Sequence, residues 1–395
     1  MSRSLVALIA VVLVGMTGFG VFMPIFPFLA LHTGAGPTAV TIAMGAYSLG
    51  QLISSPLWGR LSDRIGRKPV LIIGLLGTAV SYIALAHVET IEAMFAARLA
   101  SGLMAGNVGA AFAAAADLAD DRTRARNMGL LGAAFAFGFI AGPALGALLV
   151  GAGEPTTEDF ANVCYMAGSL GFAAAVGALL LFRETLPPES RRPAHVPRVR
   201  RLALLASRPM LARFILVTLL MITAQALIES SFALWADVSF NWGPHEVGWT
   251  LAGLGVGAAL LQGGGAGRAA RTLGEPRTLM LGLGAFAIGM GAAAVAHEAI
   301  GAVAALVALV LGAGLSTPAL QSLIAAQAEP DERGAVMGLN QSASSLGRVL
   351  GPLGAGAVFE HVGKNAPFAA AALLLVLALL AVLTRPKAIP VPAAQ

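Results

Sequence analysis

Apolar runs of about 20 residues recur along the whole chain, separated by short polar intervals. A helix of that length crosses the roughly 30 Å hydrocarbon core of a bilayer. Backbone amides in that core must bond within their own segment, so each run predicts a helix. The runs are continuously apolar and do not alternate, which excludes a transmembrane barrel. Twelve candidate spans follow, at about 5–31, 39–58, 69–87, 91–116, 128–152, 161–182, 211–236, 246–266, 278–296, 299–327, 335–358 and 366–384. Charged residues make up 11% of the chain, against about 25% in soluble domains, so the deficit also points to lipid. The 48 glycines fit the same solvent, because small residues let helices approach closely there. The first run, from about Leu5 to Leu31, is too long for a signal-peptide core and lacks an obvious small-residue cleavage site. It therefore reads as the first membrane helix.

The longest polar interval, 183–210, holds Pro187, Pro188, Pro193 and Pro197 among many arginines, and it divides the spans six and six. The expected fold is an all-α membrane protein of twelve transmembrane helices in two pseudo-symmetric six-helix bundles. Residues 1–182 and 211–395 form the bundles and 183–210 the linker. Basic residues set the orientation. Arg60, Arg64, Arg67, Lys68, Arg122, Arg124, Arg126, Arg268, Arg271, Arg277 and Arg333 fall in alternate loops. The linker adds Arg183, Arg191, Arg192, Arg198, Arg200, Arg201 and Arg208, with Arg213 just beyond it, and the termini add Arg3, Arg385 and Lys387. The opposite loops hold Lys364 with the acids Glu89, Glu154, Glu158, Asp159 and Glu246. Both termini and the linker are thus expected in the cytoplasm, with the chain in the inner (plasma) membrane. The net charge of +5 carries no nucleic-acid signal, because the bases cluster between spans. Cys164 is the only cysteine, so no intramolecular disulfide is possible.

Several chemistries are excluded. There is no GxxxxGK[ST] phosphate loop, and Gly363-Lys364-Asn365 lacks both the spacing and the hydroxyl. No HExxH, paired CxxC or nucleophile elbow occurs. Neither an enzyme, a metal site nor a cofactor is expected. Polar residues within the spans are sparse and scattered over several helices, unlike a catalytic cluster.

Between the second and third spans lies Gly59-Arg60-Leu61-Ser62-Asp63-Arg64-Ile65-Gly66-Arg67-Lys68. Gly59 and Gly66 permit a tight turn between packed helices. Asp63 is an acid among bases, able to pair with arginine or with a helix N-terminus. In the fifth span, Gly138, Gly142, Pro143 and Gly146 combine close-approach glycines with a residue that bends a helix. Gly347, Gly351, Pro352 and Gly354 partly echo them in the eleventh, as an internal repeat would. Arg98 lies two turns inside the fourth span, on one face with Gly102 and Gly106. An arginine there costs roughly 2.5–3.5 kcal/mol, so it either faces a cavity or partner or snorkels to the near surface.

Gln225 and Glu229 share a face of the seventh span, as do Gln341, Ser344 and Arg348 in the eleventh. A desolvated carboxylate takes up a proton more readily, so Glu229 is the expected proton carrier. Glu229 and Arg348 either line one cavity or form a static buried pair. Phe19, Phe22, Met23 and Phe26, with Pro24 and Pro27, either wall an apolar pocket or pack. The expected substrate cavity comprises Phe19, Met23, Arg98, Gln225, Glu229, Gln321, Gln341, Ser344 and Arg348. Its ligands would be a small molecule and protons. His32, His87, His245, His297 and His361 all fall near one set of helix ends.

The 59–68 run resembles the GxLxDRxGRK loop of the major facilitator superfamily, and the fifth span resembles the GxxxGPxxG motif of its antiporters. With Gly20–Pro27, Arg98–Gly106, Pro318–Gln321 and Gly351-Pro352, nearly the whole chain is similar to the drug/proton antiporter branch and, within it, to tetracycline efflux proteins. The resemblance implies a monomeric carrier working by alternating access. It implies an arginine at position 98 acting in proton transfer. It also implies a conformational latch from Gly59, Asp63, Arg64, Gly66, Arg67 and Asp117, closing on the start of span 11 near Gly334. The chain departs where tetracycline exporters carry carboxylates in spans 1, 3 and 9. Around Gly15, Ser81 and Phe286 it is apolar or small, and Glu229 stands where the family has glutamine. Those differences point away from tetracycline itself, towards an anionic, zwitterionic or mostly apolar compound.

Overall fold

The computed structural model describes residues 2–120, 123–153, 155–187, 189, 204–329 and 332–384. Arg122, Glu154, Pro188, Pro193, Pro197, the linker arginines from Arg191 to Arg201, Arg385 and Lys387 lie outside them. The described chain is helical and contains no strand. Among the described residues, nine helical segments are long and apolar enough to cross a membrane.

Helices α1 (Arg3–Phe22) and α2 (Phe26–His32) are joined by a turn at Met23–Ile25 that contains Pro24. Next come α3 (Pro37–Ile65), α4 (Arg67–Leu85) and α5 (Ile91–Met104). A 3₁₀ turn links α5 to α6 (Val108–Asp117), after which follow α7 (Arg124–Val150) and α8 (Thr157–Leu181). Beyond the linker lie α9 (Pro209–Phe240), α10 (Pro244–Leu260) and α11 (Ala266–Leu273), the last two connected by a π-helical turn. The chain closes with α12 (Glu275–Ala294), α13 (Ala299–Ala325), α14 (Arg333–His361) and α15 (Ala366–Leu383). The helices α3, α10–α11 and α14 are not among the nine. In α3 and α14 the reason is visible in the sequence, where Gln51, Ser54 and Ser55, and Asn340, Gln341 and Arg348, lower the apolar character, whereas α10 is apolar but only 17 residues long before the π-helical turn.

Before the linker, α1 packs on α7 and α8, α3 on α5, and α4 on α8. After it, α12 packs on α13 and α15, and α9 on α14 and α15. Glycines set the closest approaches. A Cβ on Gly142 of α7 would lie 2.5 Å from the backbone of Gly20, and one on Gly138 would lie 2.6 Å from Met16. Gly146 likewise meets the Val21 carbonyl. The Gly138–Gly146 stripe is thus the seam between α7 and α1, and α7 continues through Pro143 without a break.

Two further seams join the helices on either side of the linker: α3 with α14, and α7 with α10. Both close at the end of the molecule that carries Thr38. There Gly45 faces Pro352, Gly356 sits against Thr38 and Thr41, Gly248 against Pro143 and Ala147, and Gly255 against Ile140. Glu360 accepts hydrogen bonds from the Thr38 amide (3.3 Å) and hydroxyl (2.5 Å), and His245 Nδ1 lies 3.0 Å from the Ala147 carbonyl. A Cβ on Gly129, Gly132 or Gly334 would meet nothing within 4 Å.

Candidate functional site

A cavity of about 500 Å³ lies between α1–α2 and helices α9, α10, α12, α13 and α14. Its wall is largely apolar, with Ile222, Phe232, Leu251, Leu254, Met290 and Leu309 among the side chains. Such a pocket with a few placed polar groups is the usual form of a small-molecule site. The polar groups come from three helices: Gln225 and Glu229 from α9, Thr317 and Gln321 from α13, and Gln341, Ser344 and Arg348 from α14. Helical spacing puts each set on one face, and the packing of α9 against α14 brings two of the faces together.

Glu229 is the centre of this group. Its Oε1 accepts a hydrogen bond from Gln225 Nε2 at 2.7 Å, and its Oε2 lies 3.7 Å from Arg348 Nη1. That separation gives charge attraction without a hydrogen bond. The side chains remain 34% and 46% exposed, so the pair borders open space. Below it, α9 and α14 are fastened by a buried Thr218–Asn340 hydrogen bond of 2.8 Å.

Seven of the nine residues expected on the cavity wall line it: Met23, Gln225, Glu229, Gln321, Gln341, Ser344 and Arg348, joined by Pro24 and Pro27. Phe19 and Arg98 are corrections. Phe19 turns away, packing on Tyr47 and Phe139 at 5.1 and 5.6 Å between ring centroids. Arg98 is 6% exposed, so it neither lines the cavity nor snorkels. Its guanidinium lies over the rings of Phe22, Phe26 and Tyr47 at 5.4, 5.1 and 4.7 Å. Cation–π attraction thereby partly replaces its water. Its Nε and Nη1 have no hydrogen-bond partner among the described residues. The break at Met23–Ile25 explains the division of labour in the first span: Phe22 and Phe26 face Arg98, while Met23, Pro24 and Pro27 face the cavity.

At the Arg64 end, Arg67 bridges two acids, Asp63 at 2.6 Å and Asp117 at 3.1 Å, and donates to Ser62 at 3.0 Å. Gly66 stands beside them with φ +109°, a conformation that favours glycine. Gly59 and Arg64 are exposed and take no part. At Gly334, where the closure is expected, a Cβ would meet nothing within 4 Å among the described residues. The cluster instead has a partner that the sequence did not reveal. Glu184, just after α8, accepts from the amides of Arg67 (2.9 Å) and Lys68 (3.1 Å), the first two residues of α4. It also accepts from Thr185 and Leu186, while the Thr185 hydroxyl donates to Asp117 at 3.2 Å. Partial burial opposes ionisation of Glu184, but the amides of Leu186, Arg67, Lys68 and Thr185 outweigh it and hold the carboxyl below its ordinary range. On the other side of the linker, Arg208 pairs with Glu329 (3.1 Å) and Glu332 (2.7 Å). These contacts link residues far apart in sequence and lie outside any periodic pattern, so only a three-dimensional structure reveals them.

Comparison with known proteins agrees with this architecture. The chain is 31% identical to the class G tetracycline resistance protein of Vibrio anguillarum over 372 residues, covering 90% of each chain. It is 29% identical to the class C tetracycline resistance protein of Escherichia coli over 362 residues, covering 89% of this chain and 88% of the other. Among solved structures, the nucleoside transporter NupG superposes with a TM-score of 0.76 at 15% identity, over 98% of this chain and 100% of the other. The human organic anion transporter MFSD10 gives 0.73 at 23% identity, over 96% and 99%. The sequence profile of the Major Facilitator Superfamily matches residues 8–238 and 214–395, and the chain accordingly belongs to that superfamily of membrane transporters.

Proposed function

We propose that this transporter is a proton-coupled secondary carrier that exports a drug-like or metabolite small molecule by alternating access. In this reading residues 1–182 and 211–395 are two six-helix bundles, joined by the linker 183–210 on the cytoplasmic side, with both termini inside. The molecule is a monomer in the inner membrane. The Thr38 end is then the outer end, and the conformation described above faces inward. The observation that carries the proposal is Glu229. An acid within a largely apolar helix, open to the cavity and held by Gln225 and Arg348, can exchange a proton as the cavity changes sides. The naming of its relatives as tetracycline resistance proteins supports efflux. The missing carboxylates near Gly15, Ser81 and Phe286 argue for a different substrate.

The decisive experiment uses purified protein in proteoliposomes with an imposed pH gradient and a panel of candidate compounds. A gradient-driven flux that disappears in Glu229→Gln is expected. Unchanged coupling in that variant refutes Glu229 as the proton carrier. Flux indifferent to the gradient supports the alternative of a facilitator, and flux in the same direction as the protons that of a proton-coupled importer, in either case of an anionic or zwitterionic metabolite.

A further inference from the structure

The cavity carries one acid and one base among its described lining residues, and they stand side by side. An ion pair in an apolar setting cancels its own charge, and removing either partner leaves a costly unpaired ion. A ligand with a net charge, seated between Glu229 and Arg348, would create such an ion. A ligand with one charge of each sign would not.

The hydrogen bonding is unequal in a way that suits such a ligand. Glu229 Oε1 is occupied by Gln225, while Oε2 is shared only at 3.7 Å. Arg348 has no hydrogen bond within 3.5 Å among the described residues, although a guanidinium offers five donors in a planar fork. A carboxylate matches that fork in two-point fashion. A cationic amine matches the free oxygen of Glu229. Gln321, Gln341 and Ser344 stand on the same wall, and the apolar remainder, including Phe232, Leu251 and Met290, accepts a hydrophobic body. Tyr47 of α3 lies near enough to feel the charges of both Arg348 and Arg98.

We propose that the ligand of this cavity is an amphipathic zwitterion, with its carboxylate on Arg348, its amine on Glu229 and its apolar body across α10, α12 and α13. The inference rests on the carrier reading above and gives it a coupling rule. Amine and proton compete for one carboxylate, so each displaces the other, as exchange requires. A simple organic anion would behave oppositely. It would compete with Glu229 for Arg348 and bind better once Glu229 is protonated.

The test is equilibrium binding to the full-length carrier, followed by the fluorescence of three matched probes. Nε-dansyl-lysine carries both charges, dansylcadaverine only the amine, and 6-dansylaminohexanoate only the carboxylate. The zwitterion should bind at least roughly tenfold more tightly than either of the others near neutral pH, and acidification should weaken it. Glu229→Gln should erase its advantage over the anion and its pH dependence. Arg348→Gln should erase its advantage over the cation. Three probes binding alike, no saturable binding of the zwitterion, or an anion that binds best and tightens on acidification would each overturn the assignment. The probe comparison in the unaltered protein stands even if a variant fails to fold. It also requires no gradient, so its failure leaves gradient-driven flux, the test of the carrier reading, to be judged separately.

Discussion

Replacing Glu184 should loosen the start of α4 by an amount that can be worked out. The first amides of a helix have no partner within it, and here Glu184 accepts two of them, Arg67 N and Lys68 N. Losing a capping side chain costs typically about 1 kcal/mol, within 0.5–2. Losing a negative charge at a helix N-terminus costs about 0.3–1 kcal/mol more. Glu184 is half-buried, and water can replace part of what it provides. Glu184→Ala should therefore raise the free energy of the α4 start by about 1–2.5 kcal/mol relative to its opened form. Glu184→Gln, which keeps an acceptor, should cost about 0.3–1 kcal/mol. Hydrogen exchange of the Arg67, Lys68 and Val70 amides reads this directly. About 1–2.5 kcal/mol is roughly 5- to 70-fold faster exchange for the alanine variant. The sign of the pH dependence follows from the lowered acidity range of Glu184. Its contribution is complete above the unfolded carboxyl's range and fades as pH falls through the folded one. Wild type and Glu184→Gln should thus converge in acid. Exchange at these amides unchanged within twofold in Glu184→Ala would refute the cap.

Two other perturbations probe the seams. Gly142→Ala places a methyl 2.5 Å from the Gly20 backbone, which has no flexible end to move, so α1 and α7 must separate. Overpacking of this kind costs about 1–3 kcal/mol, and thermal unfolding of the purified protein should show the loss, while Gly284→Ala, at an open position, should not. Glu360→Ala removes the acceptor shared by the Thr38 amide and hydroxyl. A cysteine placed at Thr38 in that background should react faster with a water-soluble maleimide than in the parent, and an equal rate would argue against a role in closing this end.

What the sequence revealed and what it hid divide along one physical line. Apolar runs report which segments lie in lipid, because every residue of a span contributes, and Arg3–His32 or Pro209–Phe240 are unmistakable. Spacing within one helix also survives folding, so Gln225 with Glu229, and Gln341 with Ser344 and Arg348, share their faces as counted. Rotation of a helix about its own axis is not encoded this way. Arg98 could face the cavity, a partner or the membrane surface on sequence grounds. Its burial among Phe22, Phe26 and Tyr47 depends on the break in the first span and on the α3 packing. Contacts such as Thr38 with Glu360, 322 residues apart, or Arg67 with Glu184, are set by tertiary closure of whole helices. The single polar residues involved leave no periodic trace.

The seams at the Thr38 end have a mechanical consequence. Where Gly356 rests on Thr38, Gly45 on Pro352 and Gly248 on Pro143, the touching surfaces are main chain and short stubs, with few long side chains threaded between them. Surfaces so smooth can roll or slide apart without dragging rotamers out of sockets. Each also presents little greasy area to water once parted. On the alternating-access reading proposed above, a gate made this way is tight when shut yet easily reopened, and the work of deciding when it opens falls to the handful of polar contacts at its rim.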